Sequence, residues 1–368
     1  MKILLTNRCN LNCTYCYEGT KGNGDLDFST GRLAIDYYLD KFKDVLRIVG
    51  SVPIVYHGGE PLLKFDLLKN LSEYAIRQSE LLQLKCDFSF TTNGVLLTEE
   101  MVAFLKKNNF TVNISLDGQK KFHNQNRVDY QNHGTFDKIF ENAHMIQAAL
   151  NHKFAIRMTV TRDSIEYMTE NVRYFVNNGF DNINIALDYF SDWGDNLKYI
   201  KTEFEKLEKY YLEYRKVHKL VIDIFDGKIP LLFTDEEPLF CNAGFEDYVL
   251  DVDGMYFPCF YGMKKGFDIG NVTSGIDGRL RNRKIRDALY NKTVQFEECK
   301  QCTIQKFCHS HKCGFLNYDT TGYLNVANKV LCQQEKSLYP ILNRIVKVLE
   351  ERKDTVIEIY KQRAHTTV

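Results

Sequence analysis

The chain lacks several features that mark broad classes of protein. Its 48 lysines and arginines balance its 48 aspartates and glutamates, so we expect no global electrostatic attraction to nucleic acid or to a membrane surface. No apolar run is long enough to cross a bilayer, and the N-terminus lacks the basic segment and cleavage site of a signal peptide. Long repeats, low-complexity segments and Pro/Gly-rich linkers are also missing from the sequence. These absences predict a cytoplasmic protein with neither nucleic-acid nor membrane partners.

Cysteine, in contrast, is plentiful, and three of the eleven cysteines lie within the first sixteen residues. Cys9, Cys13 and Cys16 follow the spacing C-x3-C-x2-C, which places three thiolates on one tight loop. Soft thiolates suit iron–sulfur clusters, and three ligands on a four-iron cube leave one iron open. An open coordination position leaves room for a reactant. The spacing therefore predicts a catalytic cluster.

This motif follows an N-terminal strand pattern and has Tyr15 before its last cysteine, and it resembles the signature of the radical S-adenosylmethionine (SAM) superfamily. The resemblance implies that the open iron binds SAM and that an electron passed through the cluster cleaves it. The resulting 5'-deoxyadenosyl radical then abstracts a hydrogen atom from a substrate. The chemistry also implies a reducing partner such as flavodoxin or ferredoxin.

A second motif, Gly58-Gly59-Glu60-Pro61, ends a short apolar run and resembles the GGEP segment of the same superfamily. Glycines let a backbone approach a ligand closely, and a carboxylate accepts charge-assisted hydrogen bonds from an ammonium group. The resemblance therefore implies that Gly58, Gly59 and Glu60 bind SAM. By itself, the same tetrapeptide is more often an ordinary turn after a strand.

Strand-like and helix-like patterns alternate up to about residue 225, which predicts a parallel sheet with helices packed outside. The predicted strands are Lys2–Leu5, Pro53–Tyr56, Asp87–Thr91, Thr111–Ser115, Phe154–Val160 and Asn182–Leu187. Helical spacing is found at Thr98–Lys107, Phe136–Leu150 and Ser164–Val176. The fold class is thus α/β, and six such units match the partial (β/α)6 TIM-like barrel of the superfamily.

Polar residues at the ends of these strands are further candidates. The resemblance implies that Ser115, in Ser-Leu-Asp-Gly, and Leu187, near the sixth strand, help to hold SAM. Arg157 and Arg127 are candidates for its carboxylate. Asn93 and Asp117 also follow predicted strands and are candidates for the site. For these two residues a structural role in the turn is an equally good interpretation, since Asn and Asp commonly shape turns.

The remaining grouped cysteines read C-x12-G-x4-C, then C-x2-C-x5-C-x4-C, then a final C. This pattern resembles the SPASM extension, which holds two auxiliary four-iron clusters; its departure is the x4 before Cys313, where x3 is usual. The resemblance assigns one cluster to Cys299, Cys302, Cys308 and Cys332, and the other to Cys241, Cys259 and Cys313. Three ligands leave the second cluster either with an open iron for a substrate thiolate or with His309 or His311 as a fourth ligand.

Other uses of these cysteines are weaker alternatives. A zinc ribbon needs two C-x2-C pairs, and among these C-terminal cysteines only Cys299 and Cys302 have that spacing. Disulfides are typical of secreted chains. We therefore predict a radical SAM domain over residues 1–225, a SPASM domain over 226–338, and a C-terminal helix over 339–368 that begins at about Tyr339 and runs to Arg363.

SPASM relatives mostly modify peptides or protein side chains, so we expect a peptide maturase that forms a thioether or carbon–carbon crosslink in a ribosomally made precursor peptide. The alternative is an anaerobic sulfatase-maturing enzyme, which oxidises Cys or Ser to formylglycine. In those relatives an Asp follows the cysteine of the G-x4-C segment and acts as a base, whereas here Phe260 follows Cys259. Because the first motif begins at Cys9, we expect a separate protein or the barrel surface to recognise the peptide. A non-enzymatic iron–sulfur electron carrier is the third hypothesis, and it would need neither the open iron nor Glu60.

Overall fold

The structure is a computed structural model that describes residues 1–19, 21–234, 241, 243–244, 248–280, 299, 301–310 and 312–366. His311 lies outside these described residues. The chain divides into two compact units, which we describe separately. The first consists of Met1–Leu116, His123–Ala155 and Asn242–Asp287, and the second of Asp117–Phe122, Ile156–Cys241 and Ala288–Val368.

The strands of the first unit form a mixed sheet from two separate parts of the chain. They are β1 (Lys2–Leu4), β2 (Ser51–His57), β3 (Lys85–Thr92), β4 (Thr111–Ser115), β8 (Val249–Leu250), β9 (Met255–Phe257), β10 (Gly270–Asn271) and β11 (Gly275–Ile276). The order β8-β1-β2-β3-β4 is parallel throughout, whereas β8 to β11 pair antiparallel in succession. The carboxyl ends of β1 to β4 therefore lie at one edge, as in parallel sheets generally.

The second unit contains three parallel strands of the same kind. In β5 (Phe154–Val160), Met158 pairs with Ile185 of β6 (Asn182–Leu187), and Ile183 of β6 pairs with Ile222 of β7 (Val221–Ile222). These apolar side chains are buried. Along β6 the buried residues alternate with half-buried ones, so one face of this strand makes most of the core contacts.

Helices separate the strands along the chain. They are α1 (Phe28–Val49), α2 (Phe65–Leu81), α3 (Glu99–Lys107), α4 (Lys120–Asn126), α5 (Phe136–Leu150), α6 (Met168–Asn177), α7 (Leu197–Tyr214), α8 (Asp223–Asp226), α9 (Gly314–Thr321), α10 (Lys329–Glu351) and α11 (Val356–Thr366). The predicted alternation of strands and helices is confirmed. Among the helices that the structure describes, none combines the length and apolar character that a membrane crossing needs.

We predicted one C-terminal helix, from about Tyr339 to Arg363. The structure instead has two helices there, α10 and α11, because the helix is interrupted at residues 352–355. Lys353 at the break adopts a left-handed φ of 55°, which an α-helix does not tolerate. The Asp354 Oδ1 atom then accepts a hydrogen bond from the Val356 backbone N–H at 3.0 Å, at the start of α11.

Candidate active site

The cysteine loop follows β1 in the first unit, and N–H groups point at two of its sulfur atoms. The Leu11 backbone N–H and the Asn93 side-chain amide lie 3.4 and 3.8 Å from the Cys9 Sγ atom. The Lys21 ammonium lies 2.7 Å from the Cys16 Sγ atom and 3.1 Å from a Glu18 carboxylate oxygen. Hydrogen bonds to ligand sulfurs are a common way in which proteins tune iron–sulfur clusters. The donor set therefore fits the predicted cluster.

Glu60 is almost completely buried, with 1% of its surface exposed, and its carboxylate joins two strand ends. It accepts hydrogen bonds from the Leu62 N–H (3.0 Å), the Thr92 hydroxyl (2.7 Å) and the Asn93 N–H (2.8 Å). Burial raises the pKa of this carboxyl group, while the two backbone bonds and the Thr92 bond oppose that shift. Since a carboxylate offers about four lone-pair sites, one acceptor site is left for a ligand.

Gly58 and Gly59 have a second physical reason to lack side chains. A Cβ atom on Gly59 would lie 2.4 Å from the Arg8 carbonyl oxygen, and one on Gly58 would lie 2.8 Å from that of Thr6. The Gly59 and Glu60 N–H groups donate to the Thr6 and Arg8 carbonyls, each at 2.9 Å. The close approach that these glycines allow is thus to the cysteine loop itself, and their contact with SAM stays a prediction.

Tyr15 packs against Arg127, whose guanidinium carbon lies 5.3 Å from the Tyr15 ring centre. The segment around Arg127 also pairs with the cysteine loop, since the N–H groups of Asn12 and Thr14 donate to the Val128 and Asn126 carbonyls. Arg127 is buried, and its charge lowers the pKa of Glu60. Arg127 therefore faces the same region as Glu60.

An aromatic patch surrounds the residue after Cys259. The Phe260 ring lies 4.1 Å from the His57 ring, centre to centre. The Tyr17 hydroxyl lies 3.3 Å from the His57 Nε2 atom, and the Tyr17 ring makes an edge contact with Tyr261. Burial lowers the pKa of His57. Position 260 thus contributes an apolar ring to this patch.

Two of the remaining predicted SAM contacts, Ser115 and Leu187, lie at strand ends of their own units, and Arg157 lies inside β5. Ser115 is buried at the end of β4 in the first unit, and Leu187 is buried at the end of β6 in the second. Arg157 of β5 lies 3.8 Å from the Asp223 carboxylate. Their roles stay predictions.

The turn-shaping alternative has direct structural support at Asn93 but not at Asp117. The Asp117 carboxylate instead accepts a hydrogen bond from the Thr159 N–H of β5 at 2.9 Å, which joins two distant segments. The Asn93 side-chain oxygen, Oδ1, accepts a hydrogen bond from the Val95 N–H two residues later, at 3.0 Å.

The C-terminal cysteines lie on short turns and helix starts. The Cys302 N–H donates to the Cys299 carbonyl at 3.2 Å, Cys308 is buried, and Cys332 lies in the first turn of α10. The Cys241 N–H donates to the Lys312 carbonyl at 2.9 Å, and Cys313 precedes α9. Burial, reinforced by the charge of Cys241, raises the pKa of Cys313 to about 11.

Burial also raises the pKa of Cys9 to about 11. Such a thiol keeps its proton at neutral pH unless a metal replaces it. In the described part of the chain, no three His, Cys, Asp or Glu side chains gather closely enough to hold one metal ion. The ligands of a single zinc ion all lie about 2.3 Å from it, so they must gather closely. The thiolates of a four-iron cluster each bind a different iron, so they can lie further apart.

Two contacts of this site were not predicted. Lys21 belongs to no recognisable motif. Its contact with Cys16 depends on how the chain turns after the last cysteine of the loop, which the sequence pattern does not indicate. Thr92 and Asn93 could have been found, because Thr-Thr-Asn-Gly ends a predicted strand beside the one that carries Glu60. We had not expected a residue of that strand end to hold Glu60 and the cysteine loop together.

Comparison with known proteins agrees with this geometry. Residues 3–175 match the radical SAM superfamily, and residues 241–303 match SPASM, an iron–sulfur cluster-binding domain. The cysteine-type anaerobic sulfatase-maturating enzyme of Clostridium perfringens (strain 13 / Type A) is 26% identical over 353 residues, which cover 90% of this chain and 92% of that protein.

Two solved structures share the fold. One is native anSMEcpe with bound AdoMet and the Kp18Cys peptide, with a TM-score of 0.79, 22% identity, and coverage of 95% of this chain and 99% of that one. The other is Streptococcus suis SuiB bound to its precursor peptide SuiA, with a TM-score of 0.63, 18% identity, and coverage of 90% and 75%. The predicted α/β fold with a SPASM domain and a helical C-terminus is confirmed. This chain is an enzyme of the radical SAM superfamily that carries a SPASM domain.

Proposed function

We propose that this enzyme modifies a peptide substrate by forming a thioether or carbon–carbon crosslink in a ribosomally made precursor. Cys9, Cys13 and Cys16 hold the SAM-binding cluster. Together the cluster and SAM supply the one-electron chemistry that removes a hydrogen atom from an unactivated carbon. The enzyme receives its electrons from a small reducing protein such as flavodoxin or ferredoxin.

The chain's own residues position these groups. Thr92 and Asn93 fix the Glu60 carboxylate through hydrogen bonds of 2.7 and 2.8 Å, and its remaining acceptor site receives the SAM ammonium. Arg127, Arg157 and Ser115 are the candidates for the SAM carboxylate and hydroxyl groups. The seven cysteines of the SPASM region hold two auxiliary clusters, which makes three four-iron clusters in all.

The phenyl ring at position 260 favours a crosslink over sulfatase maturation. Sulfatase-maturing relatives carry a catalytic base at the position that corresponds to Phe260. In this chain that position carries a phenyl ring whose centre lies 4.1 Å from that of the His57 ring. A phenyl ring accepts no proton. With three cysteines assigned to it, the cluster at Cys241, Cys259 and Cys313 has room for a substrate thiolate.

Sulfatase maturation is the second candidate. The cysteine-type sulfatase-maturating enzyme of C. perfringens aligns with 90% of this chain, and that agreement over nearly the whole length supports a shared substrate class. If this candidate is correct, another residue replaces the missing carboxylate, and His57, whose ring lies 4.1 Å from the Phe260 ring, is a candidate.

Mass spectrometry of two peptides distinguishes the candidates. Reconstituted enzyme is incubated with SAM, a reductant and either a cysteine-containing sulfatase peptide or cysteine-containing precursor-type peptides. A crosslink removes two hydrogens and keeps the sulfur, whereas formylglycine formation from cysteine replaces sulfur with oxygen. Crosslinked product supports our proposal, and formylglycine made by the unaltered enzyme contradicts it.

Phe260→Asp and Phe260→Asn provide a matched pair, because both introduce a similar polar shape and only Asp can accept a proton at neutral pH. We expect Phe260→Asp alone to gain formylglycine formation, by about 10-fold or more over Phe260→Asn, as general-base catalysis typically contributes about 10²–10⁴-fold. Equal activity of the two variants would show that position 260 does not decide the reaction.

A further inference from the structure

Asn328 joins three segments of the second unit through its own hydrogen bonds. Its side-chain Nδ2 atom donates to the Tyr189 carbonyl at 2.9 Å, and its Oδ1 atom accepts from the Leu331 N–H at 2.9 Å. Its backbone N–H donates to the Asn317 Oδ1 atom at 3.0 Å, and its carbonyl accepts from the Cys332 N–H at 2.8 Å. Asn328 is buried, with 5% of its surface exposed. These bonds fix the start of α10 against α9 and against the loop after β6.

One side of this arrangement carries a predicted cluster ligand. Cys332 lies in the first turn of α10, where Asn328 is the N-cap residue. The first N–H groups of a helix have no partner within the helix, and a capping side chain satisfies one of them. The Asn317 side chain also donates to the Ser310 carbonyl at 2.8 Å, in the segment that follows Cys308. Asn328 therefore holds the turn that carries Cys332 and, through Asn317, the segment after Cys308.

The same arrangement extends to the loop that follows Leu187, the predicted SAM contact at the end of β6. Within this loop the Asp188 carboxylate accepts a hydrogen bond from the Phe190 N–H at 3.0 Å. The Trp193 indole N–H donates to the Asp188 carbonyl at 2.7 Å. Because these bonds make the loop compact, a shift of Tyr189 is passed on to the end of β6.

A second hydrogen bond joins this loop to α10. The Tyr189 hydroxyl donates to the Gln334 side-chain oxygen at 2.9 Å, and Gln334 is buried. Gln334 lies two residues after Cys332 on the same helix. Two separate side chains, Asn328 and Tyr189, thus fasten the loop beside the predicted SAM contact to the helix that carries the predicted cluster ligand.

We propose that Asn328 is a positioning residue that couples the auxiliary cluster at Cys332 to SAM binding. This inference rests on the proposed cluster assignment and on Leu187 as a SAM contact. Ligation of Cys332 to iron fixes the start of α10, and the Asn328 amide then holds the loop after β6 in place for SAM. Groups that lie behind metal ligands orient those ligands, and coupling between two sites acts in both directions. We therefore expect loss of this cluster to weaken SAM binding.

Three variants of the full-length enzyme separate the two roles of Asn328. Asn328→Ser keeps a capping side chain, since Ser and Asn cap helices about equally well, but it loses the bond to Tyr189. Asn328→Ala loses both the cap and that bond, and Tyr189→Phe removes the hydroxyl that contacts Gln334. Asn343→Ser is the matched control, because the Asn343 side chain lies exposed on the same helix and donates to the Tyr339 carbonyl at 2.8 Å.

Iron content and the SAM dissociation constant are measured after anaerobic reconstitution, the latter by equilibrium dialysis with labelled SAM. We expect Asn328→Ser and Tyr189→Phe to keep the roughly twelve irons of three clusters. Both should bind SAM about 5-fold or more weakly, the effect of one lost hydrogen bond, and SAM cleavage should recover at saturating SAM. A general loss of stability would instead lower the cleavage rate at every SAM concentration. Asn328→Ala should also lose up to about four irons, and Asn343→Ser should change neither quantity.

Several outcomes overturn the inference. One is an Asn328→Ser enzyme that keeps both its iron and its SAM affinity, and another is an Asn328→Ala enzyme that keeps all its iron. Equal iron loss in these two variants also overturns it, because the cap would then not be what holds the cluster turn.

Cys332→Ala provides the reciprocal test. It should weaken SAM binding in an otherwise unaltered chain but cause no further weakening in Asn328→Ser, since the connection is already broken there. Additive effects of the two substitutions contradict the coupling. About four irons in the unaltered enzyme would instead refute the proposed cluster assignment, and the inference would fall with it.

Discussion

Replacing Gly59 with alanine tests whether the GGEP segment is needed first of all to seat the cysteine loop. The new Cβ atom would lie 2.4 Å from the Arg8 carbonyl oxygen and 2.6 Å from the Arg8 carbonyl carbon. Both are backbone atoms, so no side-chain rotation relieves the clash. Ordinary contact starts at 3.4 Å, which means that the loop must shift by about 1 Å.

The energetic cost has two parts. Overpacking of this kind costs about 1–3 kcal/mol. The shift also weakens the hydrogen bonds that the Gly59 and Glu60 N–H groups make to the Thr6 and Arg8 carbonyls, each of which is worth about 1 kcal/mol. We expect a total loss of about 2–5 kcal/mol, concentrated where Cys9 begins the cluster motif.

Gly278→Ala is the matched control, because its new Cβ atom would meet nothing within 4 Å and its φ is not left-handed. Both variants are reconstituted without SAM, and their iron content and thermal unfolding are compared. We expect Gly59→Ala to lose about four irons per chain, one cluster's worth, and to unfold at a lower temperature. If Gly59→Ala matched Gly278→Ala in both measurements and failed only in SAM binding, Gly59 would act on the ligand and our steric reasoning would be wrong.

Two further predictions concern the clusters and the pH dependence of stability. Cys13→Ala should abolish SAM cleavage, whereas Cys302→Ala should leave cleavage partly intact and stop product formation; SAM cleavage retained by Cys13→Ala, measured by chromatography, would contradict the assignment of the first cluster. Burial raises the pKa of Asp223 to about 6, so its stabilising contribution is complete below about pH 4 and is lost as the pH rises through about 6. The unfolding free energy of the unaltered protein relative to Asp223→Asn should therefore increase by about 1 kcal/mol from pH 7 to pH 4 in urea titrations, because 35% of the Asp223 side chain is exposed and solvent screens its interactions. A flat or opposite trend would exclude this linkage.

Local pattern was sufficient to place the strands of the parallel sheet. Thr111–Ser115, Phe154–Val160 and Asn182–Leu187 have the predicted bounds, because each is a short segment rich in β-branched or other apolar residues with clear ends. The C-terminal helix was less predictable, since the helical spacing continues through a break that one left-handed residue, Lys353, creates. A single residue's φ leaves no periodic signal.

Contacts between distant segments could not be derived in the same way. The pairing of Lys2 with Val249 places a strand of the cysteine-rich half beside β1, and neither short strand specifies its partner. Likewise, the motif identifies Glu60 as a candidate, but its hydrogen bonds to Thr92 and Asn93 depend on the alignment of two strand ends. The sequence located the chemistry, and the fold determined which groups hold it in place.

Lys21 is the lysine beside a predicted ligand of the first cluster. It lies 2.7 Å from the Cys16 sulfur and is paired with Glu18. The Glu18 charge largely cancels the field of the Lys21 ammonium beyond its immediate neighbourhood. Lys21 therefore acts on the predicted cluster mainly as a hydrogen-bond donor to the Cys16 sulfur, and only weakly as a net charge.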